Sequence, residues 1–318
     1  MSATTPALAP EVLEAQARIR EAGLANGDIL APDLAEARAA TKRYQAFLNR
    51  GGPEMAAISE HVLETAPPLP LRLYRPHGVD GALPIYLHIH GGGFGFGGLD
   101  ALDRWKREIA EDARIMVAGL DYALAPEHPY PTAIQQVLAA LRWLRGEEAA
   151  GLGVDGTLVA VGGDSAGGNL ALNALLRLRD AGEALPRLGV IIYGMLSADH
   201  GTYSHKQFGG GSYGLSTAKL ERFWSHYLPD EAMRQDAAIM PLRSELAGLP
   251  PLLLQAAALD PLLDDTINLE HKLQAAGVPH ALTIYQGMPH GFIAQTALLS
   301  KARAARVEVT AALLAAFR

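Results

Sequence analysis

Gly162-Gly163-Asp164-Ser165-Ala166-Gly167-Gly168-Asn169 is the stretch whose reading decides the fold of this chain. Before it stands Thr157-Leu158-Val159-Ala160-Val161, an apolar and β-branched run of strand length. After it, Leu172, Leu175, Leu176 and Leu178 recur at helical spacing as far as Arg179. The pattern Gly-x-Ser-x-Gly therefore falls where a strand turns sharply into a helix. Glycines two positions either side of Ser165 let the two elements crowd together and hold the serine on a strained turn with Oγ exposed. Taken alone the pattern is weak, because Gly and Ser are common in loops; its position between strand and helix gives it a mechanical meaning.

Working outward, apolar strand patterns are expected near 61–64, 69–74, 84–89, 115–120, 157–161, 188–193, 251–258 and 281–286, with helices near 101–112, 131–145, 166–180, 264–276 and 295–317. Repeated strand–helix units with apolar strands predict an α/β fold: a mainly parallel central sheet covered by helices on both faces. The first two strands, joined by a short Pro-rich turn, are expected to pair antiparallel at an edge. Two segments break the rhythm. Alanine-rich helices over 11–22 and 33–48 precede any strand, the second started by Pro32 and Asp33 and stopped by Gly51-Gly52-Pro53. Residues 195–240 hold a polar, glycine-rich loop with Gly209-Gly210-Gly211, then a helix over 216–227 bearing Leu220, Phe223, Trp224 and Tyr227. A loop this long in a compact domain is usually functional. The N-terminal helices read either as a decorative arm or as part of a lid over something later in the chain, and the aromatic helix after the loop either as a cap over the open end of the sheet or as ordinary core packing.

Bulk properties narrow the partners. The chain has 318 residues, 49% hydrophobic and 19% charged, which suits a globular protein with a sizeable core and is too apolar for disorder. A formal charge of -7 with no basic stripe argues against nucleic acid. There is no cysteine, so a thiolate nucleophile, a cysteine metal site and a disulfide framework are all excluded. Met-Ser-Ala-Thr-Thr-Pro has no basic n-region or apolar core, and no apolar run approaches the ~18 residues of a membrane span. A soluble, cytoplasmic protein acting on a small molecule is the expectation, with homo-oligomer formation left open.

A serine nucleophile needs a general base and an orienting group for that base. In the strand–Ser–helix arrangement the chain order is Ser, acid, His. His271 lies inside a predicted helix and His280 at the start of a strand, whereas His290 follows the strand 281–286 and precedes Gly291. Asp260 directly follows the apolar strand ending at Ala258; Asp199 is its positional rival, while Asp264 and Asp265 read as helix-start carboxylates. Acyl transfer also needs donors aimed at the developing oxyanion, each worth about 3 kcal/mol. His90-Gly91-Gly92-Gly93-Phe94 follows a strand and exposes glycine N–H groups; Gly92 and Gly93, with the N–H of Ala166 at a helix start, are the candidate oxyanion hole. His90 reads as a loop-shaping hydrogen bonder. His88-x-His90 as a metal pair lacks an evident third ligand, and Gly91 to Gly98 lacks the Lys-Ser/Thr ending of a phosphate loop, so no metal or cofactor is expected. Candidate pocket walls are Phe94, Phe96, Tyr193, Phe208, Tyr213, Trp224 and Phe292.

His90-Gly91-Gly92-Gly93, Asp121 through Pro129 (Asp-Tyr-Ala-Leu-Ala-Pro-Glu-His-Pro), Gly163 through Asn169, Asp260-Pro261-Leu262 and His290-Gly291-Phe292 together resemble the bacterial hormone-sensitive-lipase-like esterases of the α/β-hydrolase superfamily, all five landmarks occurring in family order. The resemblance implies a cofactor-free carboxylesterase for short- to medium-chain esters, with Ser165, Asp260 and His290 as triad and Gly92, Gly93 and Ala166 as oxyanion hole. It also implies a cap built from the N-terminal helices, residues 1–55, and the insertion, residues 195–240, over a catalytic domain of residues 56–194 and 241–318. Ala123 stands where the family usually has Arg, and Tyr193-Gly194 where Tyr-Pro is usual. The same triad could serve amides, lactones or formamides. A non-catalytic receptor on this fold would have lost triad residues, all of which are present here.

Overall fold

The computed structural model describes residues 7–318. The stretch Met-Ser-Ala-Thr-Thr-Pro, on which the expectation of no signal peptide rests, lies outside the described residues.

One eight-stranded sheet carries the molecule. In chain order its strands are β1 (Ala57–Leu63), β2 (Leu69–Arg75), β3 (Leu83–Ile89), β4 (Met116–Leu120), β5 (Val154–Asp164), β6 (Gly189–Ile192), β7 (Leu252–Leu259) and β8 (His280–Pro289). Across the sheet they lie in the order β1-β2-β4-β3-β5-β6-β7-β8. Strands β3 to β8 pair in parallel, while β2 is antiparallel to both β1 and β4. The central strands are buried on both faces: every residue of β4, β6 and β7 is buried, as expected where crossover helices cover a parallel sheet.

Two apolar layers sandwich that sheet. One holds α4 (Thr132–Trp143), α6 (Ala166–Asp180) and α9 (Leu263–Ala275), through Val137, Leu141, Leu172, Leu175, Leu269 and Leu273. The other holds α3 (Asp103–Ala113) and α10 (Ser300–Ala316), through Trp105, Ile109, Ala305 and Val309. The chain leaves β3 through α3 to β4 on one side, then crosses back through α4 and the short α5 (Glu147–Gly151) to β5 on the other. The strand order thus reverses around β3, and ligands of open α/β sheets bind outside the carboxyl ends of strands at such a switch point.

The N-terminal helices are α1 (Pro10–Glu21) and α2 (Leu34–Leu48); Asp33 caps α2 by accepting the Glu36 N–H. The insertion contains α7 (Tyr203–Phe208) and α8 (Thr217–Tyr227). Several boundaries differ from the sequence expectation. Strand β1 begins at Ala57 instead of near 61; it is an edge strand whose outer residues, Ile58 and Val62, stay exposed, so burial periodicity marks it faintly. Glu60 faces Arg72 across the pair and bonds it at 2.6 Å, which helps fix the register. Helix α7 lies where a loop was expected, because its turn is held by long-range bonds from Asp264 and Pro261. Helix α10 starts at Ser300, not 295, since Phe292–Gln295 forms a separate 3-10 turn.

Candidate active site

Ser165 sits between β5 and α6 with φ 55° and ψ -119°, a backbone conformation that an L-residue rarely adopts. Its neighbours explain how the strain is held. A Cβ added to Gly163 would stand 2.4 Å from the carbonyl carbon of Gly167, and one added to Gly167 would stand 2.0 Å from the Ile89 oxygen. Both glycines are therefore needed for the close approach of α6 to β5 and β3. The Ser165 N–H donates to Ile192 O at 2.9 Å and its carbonyl accepts the Met195 N–H at 3.0 Å, tying the turn to β6 and the chain beyond it.

Asp260 and His290 emerge at the carboxyl ends of β7 and β8 and meet Ser165 there. His290 Nε2 lies 2.9 Å from Ser165 Oγ, and His290 Nδ1 lies 2.6 Å from Asp260 Oδ2. A buried carboxylate can only accept, so the network assigns the proton to Nδ1 and leaves Nε2 free to accept from the serine hydroxyl. Asp260 is fully buried, and its other oxygen accepts the Leu262 N–H at 2.9 Å at the start of α9. The acid is thus held at both oxygens. Asp199 instead accepts the Gly201 N–H within its own loop. Asp264 and Asp265 differ from their expected role as caps of their own helix. Asp264 accepts the Ser204 N–H of α7, and Asp265 accepts the N–H groups of Leu196 and Ser197, so both fasten the insertion to α9. Burial pushes the Asp265 carboxyl up to about 8.

The glycine loop after β3 lies on the same cavity as Ser165 and His290. Gly92 and Gly93 have φ 115° and 60°. Their N–H groups, like that of Ala166 in the first turn of α6, have no internal acceptor among the described residues. The loop is fastened to the serine turn from behind: Asp164 Oδ1 accepts the Gly91 N–H at 2.8 Å and a hydrogen from His88 Nε2 at 3.3 Å, and Tyr86 Oη lies 3.1 Å from His88 Nδ1. Burial lowers the basicity of His88, which keeps that relay neutral on the imidazole. His90 stacks on Tyr122 and donates from Nδ1 to Gly91 O at 2.8 Å; burial pushes it down to about 4, consistent with a loop-shaping role.

The cavity encloses about 490 Å³, within the range of small-molecule sites. One wall comes from the N-terminal segment, including Ile19, Leu24, Ile29, Tyr44 and Leu48; a second comes from the insertion, through Tyr213, Leu215, Leu220 and Phe223. Of the aromatic residues expected as walls, Phe96, Tyr193 and Tyr213 line it, while Phe94, Phe208, Trp224 and Phe292 do not. Phe94 turns away from the cavity, stacks on Tyr227 at 3.8 Å and packs against Trp224, so both rings support the loop from below. Phe208 packs on Tyr213, and Phe292 backs Tyr193, whose ring in turn lies 4.5 Å from that of His290. Phe223, not among the aromatic residues expected as walls, lines the cavity too: a Cβ on Gly93 would fall 2.2 Å from its ring. Asp164, one residue before the serine and aimed at a glycine loop, carried a readable signal as an acid inside the Gly-x-Ser-x-Gly turn. Arg38 and Tyr44 carried none, since nothing in their local sequence points across the molecule. The loop from Asp121 to Pro129, where Ala123 replaces the usual Arg, is anchored by Gln136, which accepts the Ala123 N–H at 2.7 Å, and by Arg38 on α2.

Residues 86–294 match the family model described as alpha/beta hydrolase fold. This chain belongs to that family. It falls in the group of hormone-sensitive-lipase-like esterases. It is 36% identical over 312 residues to the ethyl acetate hydrolase of Pseudomonas putida, covering 95% of this chain and 97% of that one. It is 37% identical over 230 residues to carboxylesterase NlhH of Mycobacterium tuberculosis, covering 71% of each. Among solved structures, an ester-hydrolase from the metagenome of Lake Arreo, complexed with a derivative of bipyridine phosphonate, superposes with TM-score 0.89 at 34% identity, covering 98% of this chain and 99% of that one. Among the described residues no helix is long and apolar enough to cross a membrane.

Proposed function

We propose that this protein is a serine carboxylesterase working through an acyl-enzyme. The observation that carries the reading is the continuous hydrogen-bonded line from Asp260 through His290 to Ser165 on the floor of a cavity that the glycine loop also borders. The similarity to named esterases supports the same reaction class.

In this reading His290 Nε2 takes the Ser165 proton as Oγ attacks the ester carbonyl. Asp260 stabilises the imidazolium and holds its tautomer. The negative charge of the tetrahedral intermediate falls on the carbonyl oxygen, where the N–H groups of Gly92, Gly93 and Ala166 are the donors. His290 then gives its proton to the departing alcohol. In the second half, water attacks the acyl carbon with His290 again as base, releasing the acid and restoring Ser165.

The N-terminal helices and the insertion act together as the cap, since each supplies one wall of the cavity. A space of about 490 Å³ with apolar walls suits short to medium acyl chains. Ethyl acetate hydrolase, the name of one relative, points the same way. A cytoplasmic location and self-association belong to the proposal as well, to be checked by fractionation and by light scattering. The reaction is tested by Ser165→Ala: a p-nitrophenyl ester panel of graded chain length should show activity concentrated in the shorter esters for the wild type and none for the variant. Turnover retained in a folded Ser165→Ala protein would overturn the mechanism.

A further inference from the structure

Arg38 stands on α2, far in sequence from the catalytic groups, yet all four hydrogen bonds of its guanidinium go to the two loops behind the oxyanion site. Nε donates to Gly95 O at 2.9 Å and Nη2 to Ala125 O at 2.8 Å, while Nη1 and Nη2 grip the two carboxylate oxygens of Glu127 at 2.7 and 2.8 Å. Such a bidentate grip fixes the plane of the guanidinium and therefore the direction of Nε–H. The paired loops are themselves joined, because the Ala125 N–H donates to Phe94 O at 2.9 Å.

The path from Arg38 to the reacting atoms runs through peptide planes. Gly95 C=O and Phe96 N–H belong to one planar trans peptide, so a donor that orients the oxygen also orients the hydrogen on the opposite side. That Phe96 N–H donates to Gly92 O at 3.0 Å, and the Gly95 N–H reinforces the same oxygen at 3.1 Å. Gly92 C=O in turn shares its plane with Gly93 N–H, which must then point away from Phe96. With φ 115° at Gly92 and 60° at Gly93, local backbone preference does not set this geometry; outside bonds must. The chain of donors also begins on a cation, and hydrogen bonds in series polarise one another in the same sense.

We propose that Arg38 is a positioning residue for the oxyanion hole, acting through the Gly95–Phe96 and Gly92–Gly93 peptide groups to aim and polarise the Gly93 N–H. The inference rests on the reading of Gly93 as an oxyanion donor. Because α2 also supplies Thr41, Tyr44, Gln45 and Leu48 to the cavity wall, seating of this helix and readiness of the oxyanion donor become one event. An unseated α2 leaves a site that has its triad and lacks one aimed donor. Glu127 is kept ionised in this grip, because its hydrogen bond to Arg38 pulls the carboxyl down to about 2, and the pair therefore persists at any pH where a serine esterase works.

The test compares wild type with Arg38→Gln, Arg38→Lys and Glu127→Gln, using p-nitrophenyl butyrate for turnover and a trifluoromethyl ketone as a reversible mimic of the tetrahedral oxyanion. A simple alkyl ketone of the same length serves as ground-state control. Loss of a whole oxyanion donor costs 10²–10³-fold in kcat elsewhere, so misaiming one should lower kcat roughly tenfold or more in Arg38→Gln with KM within about threefold. Binding of the trifluoromethyl ketone should weaken by the same factor while the alkyl ketone is unaffected. Arg38→Lys, which cannot make the fork, should recover little, and Glu127→Gln should show a smaller loss of the same kind. If Arg38→Gln does not fold, Glu127→Gln decides by the same two ketones. Unchanged kcat in these variants, or equal weakening of both ketones, would overturn the proposal and leave Arg38 as a fastening for α2. Ser165→Ala checks the parent reading separately: if it removes turnover and ketone adduct while Arg38→Gln is silent, only the role of Arg38 fails.

Discussion

Asp164 Oδ1 accepts the N–H of Gly91 at 2.8 Å, so the residue just before the candidate nucleophile grips the first glycine of the loop that faces it. One carboxylate thereby ties the glycine loop to the serine turn, and in the proposed mechanism it sets the spacing between the attacking oxygen and the oxyanion donors. Replacing Asp164 with Ala removes both this bond and the partner of His88. We expect kcat to fall roughly 10- to 100-fold with a smaller change in KM, a part of what outright donor loss costs. Asp164→Asn, which can keep the acceptor oxygen, should retain most of the activity. Equal loss in both variants, measured by steady-state hydrolysis, would contradict a positioning role for the acceptor.

The assignment of the triad acid separates cleanly. In Asp260→Asn the Oδ1 position can still accept from Leu262, which turns the amide NH₂ toward His290 and makes Nδ1 the acceptor. The imidazole hydrogen then sits on Nε2, facing Ser165, and the base cannot take a proton. A loss of roughly 10⁴ in kcat is expected. Asp199→Asn should stay within about threefold of wild type, since its bond is to Gly201 in an exposed loop. A larger loss at Asp199 than at Asp260 in a side-by-side assay would reverse the assignment.

Gly167→Ala tests the close packing under the serine. Its Cβ would meet backbone atoms, Ile89 O at 2.0 Å and His90 O at 2.7 Å, which cannot rotate aside as a side chain could. Destabilisation of about 3 kcal/mol or more is expected from overpacking of this kind. Gly182→Ala, at a position with open space, should cost much less, although its φ of 66° carries some strain. Denaturant midpoints for the two variants make the comparison; similar midpoints would contradict the crowding argument.

Asp265 gives a pH signature. Burial raises its carboxyl to about 8 from an ordinary 3.8, so between these values the folded chain keeps a proton that the unfolded chain has released. The stability tied to that proton is complete below about pH 4 and is lost as pH rises through about 8. Asn at this position cannot ionise and still offers an oxygen to Leu196 and Ser197. The melting temperature of Asp265→Asn relative to wild type should therefore climb by roughly 6 °C between pH 5 and pH 9. A difference that stays flat across that range would contradict the raised value.

Much of the catalytic frame was legible because it depends on local pattern and on chain order. Apolar runs mark β3 to β7, and a strand followed by Gly-x-Ser-x-Gly marks the turn. The rule that functional groups leave the carboxyl ends of strands separates His290 from His271 and His280. What was not legible is held by contacts between distant segments. Helix α7 is fixed by Asp264 and Pro261, some 60 residues away in sequence. Phe94 looks like a wall because it adjoins the glycine loop, but its positive φ of 62° turns the ring down onto Tyr227. The reach of Arg38 to Glu127 spans 89 residues and leaves no periodicity behind.

The cavity's two walls have a different standing with respect to the family pattern. The candidate triad, the glycine loop and the insertion wall all lie within residues 86–294, the span that the family model covers, whereas Ile19, Leu24, Ile29, Tyr44 and Leu48 lie outside it. One of the two cavity walls is thus written in a part of the chain outside that span. Such an arrangement lets substrate preference drift by changes at these cavity-facing positions, so exchange of Ile19, Leu24, Ile29, Tyr44 and Leu48 between relatives, with Arg38 retained, should transplant selectivity without rebuilding the chemistry.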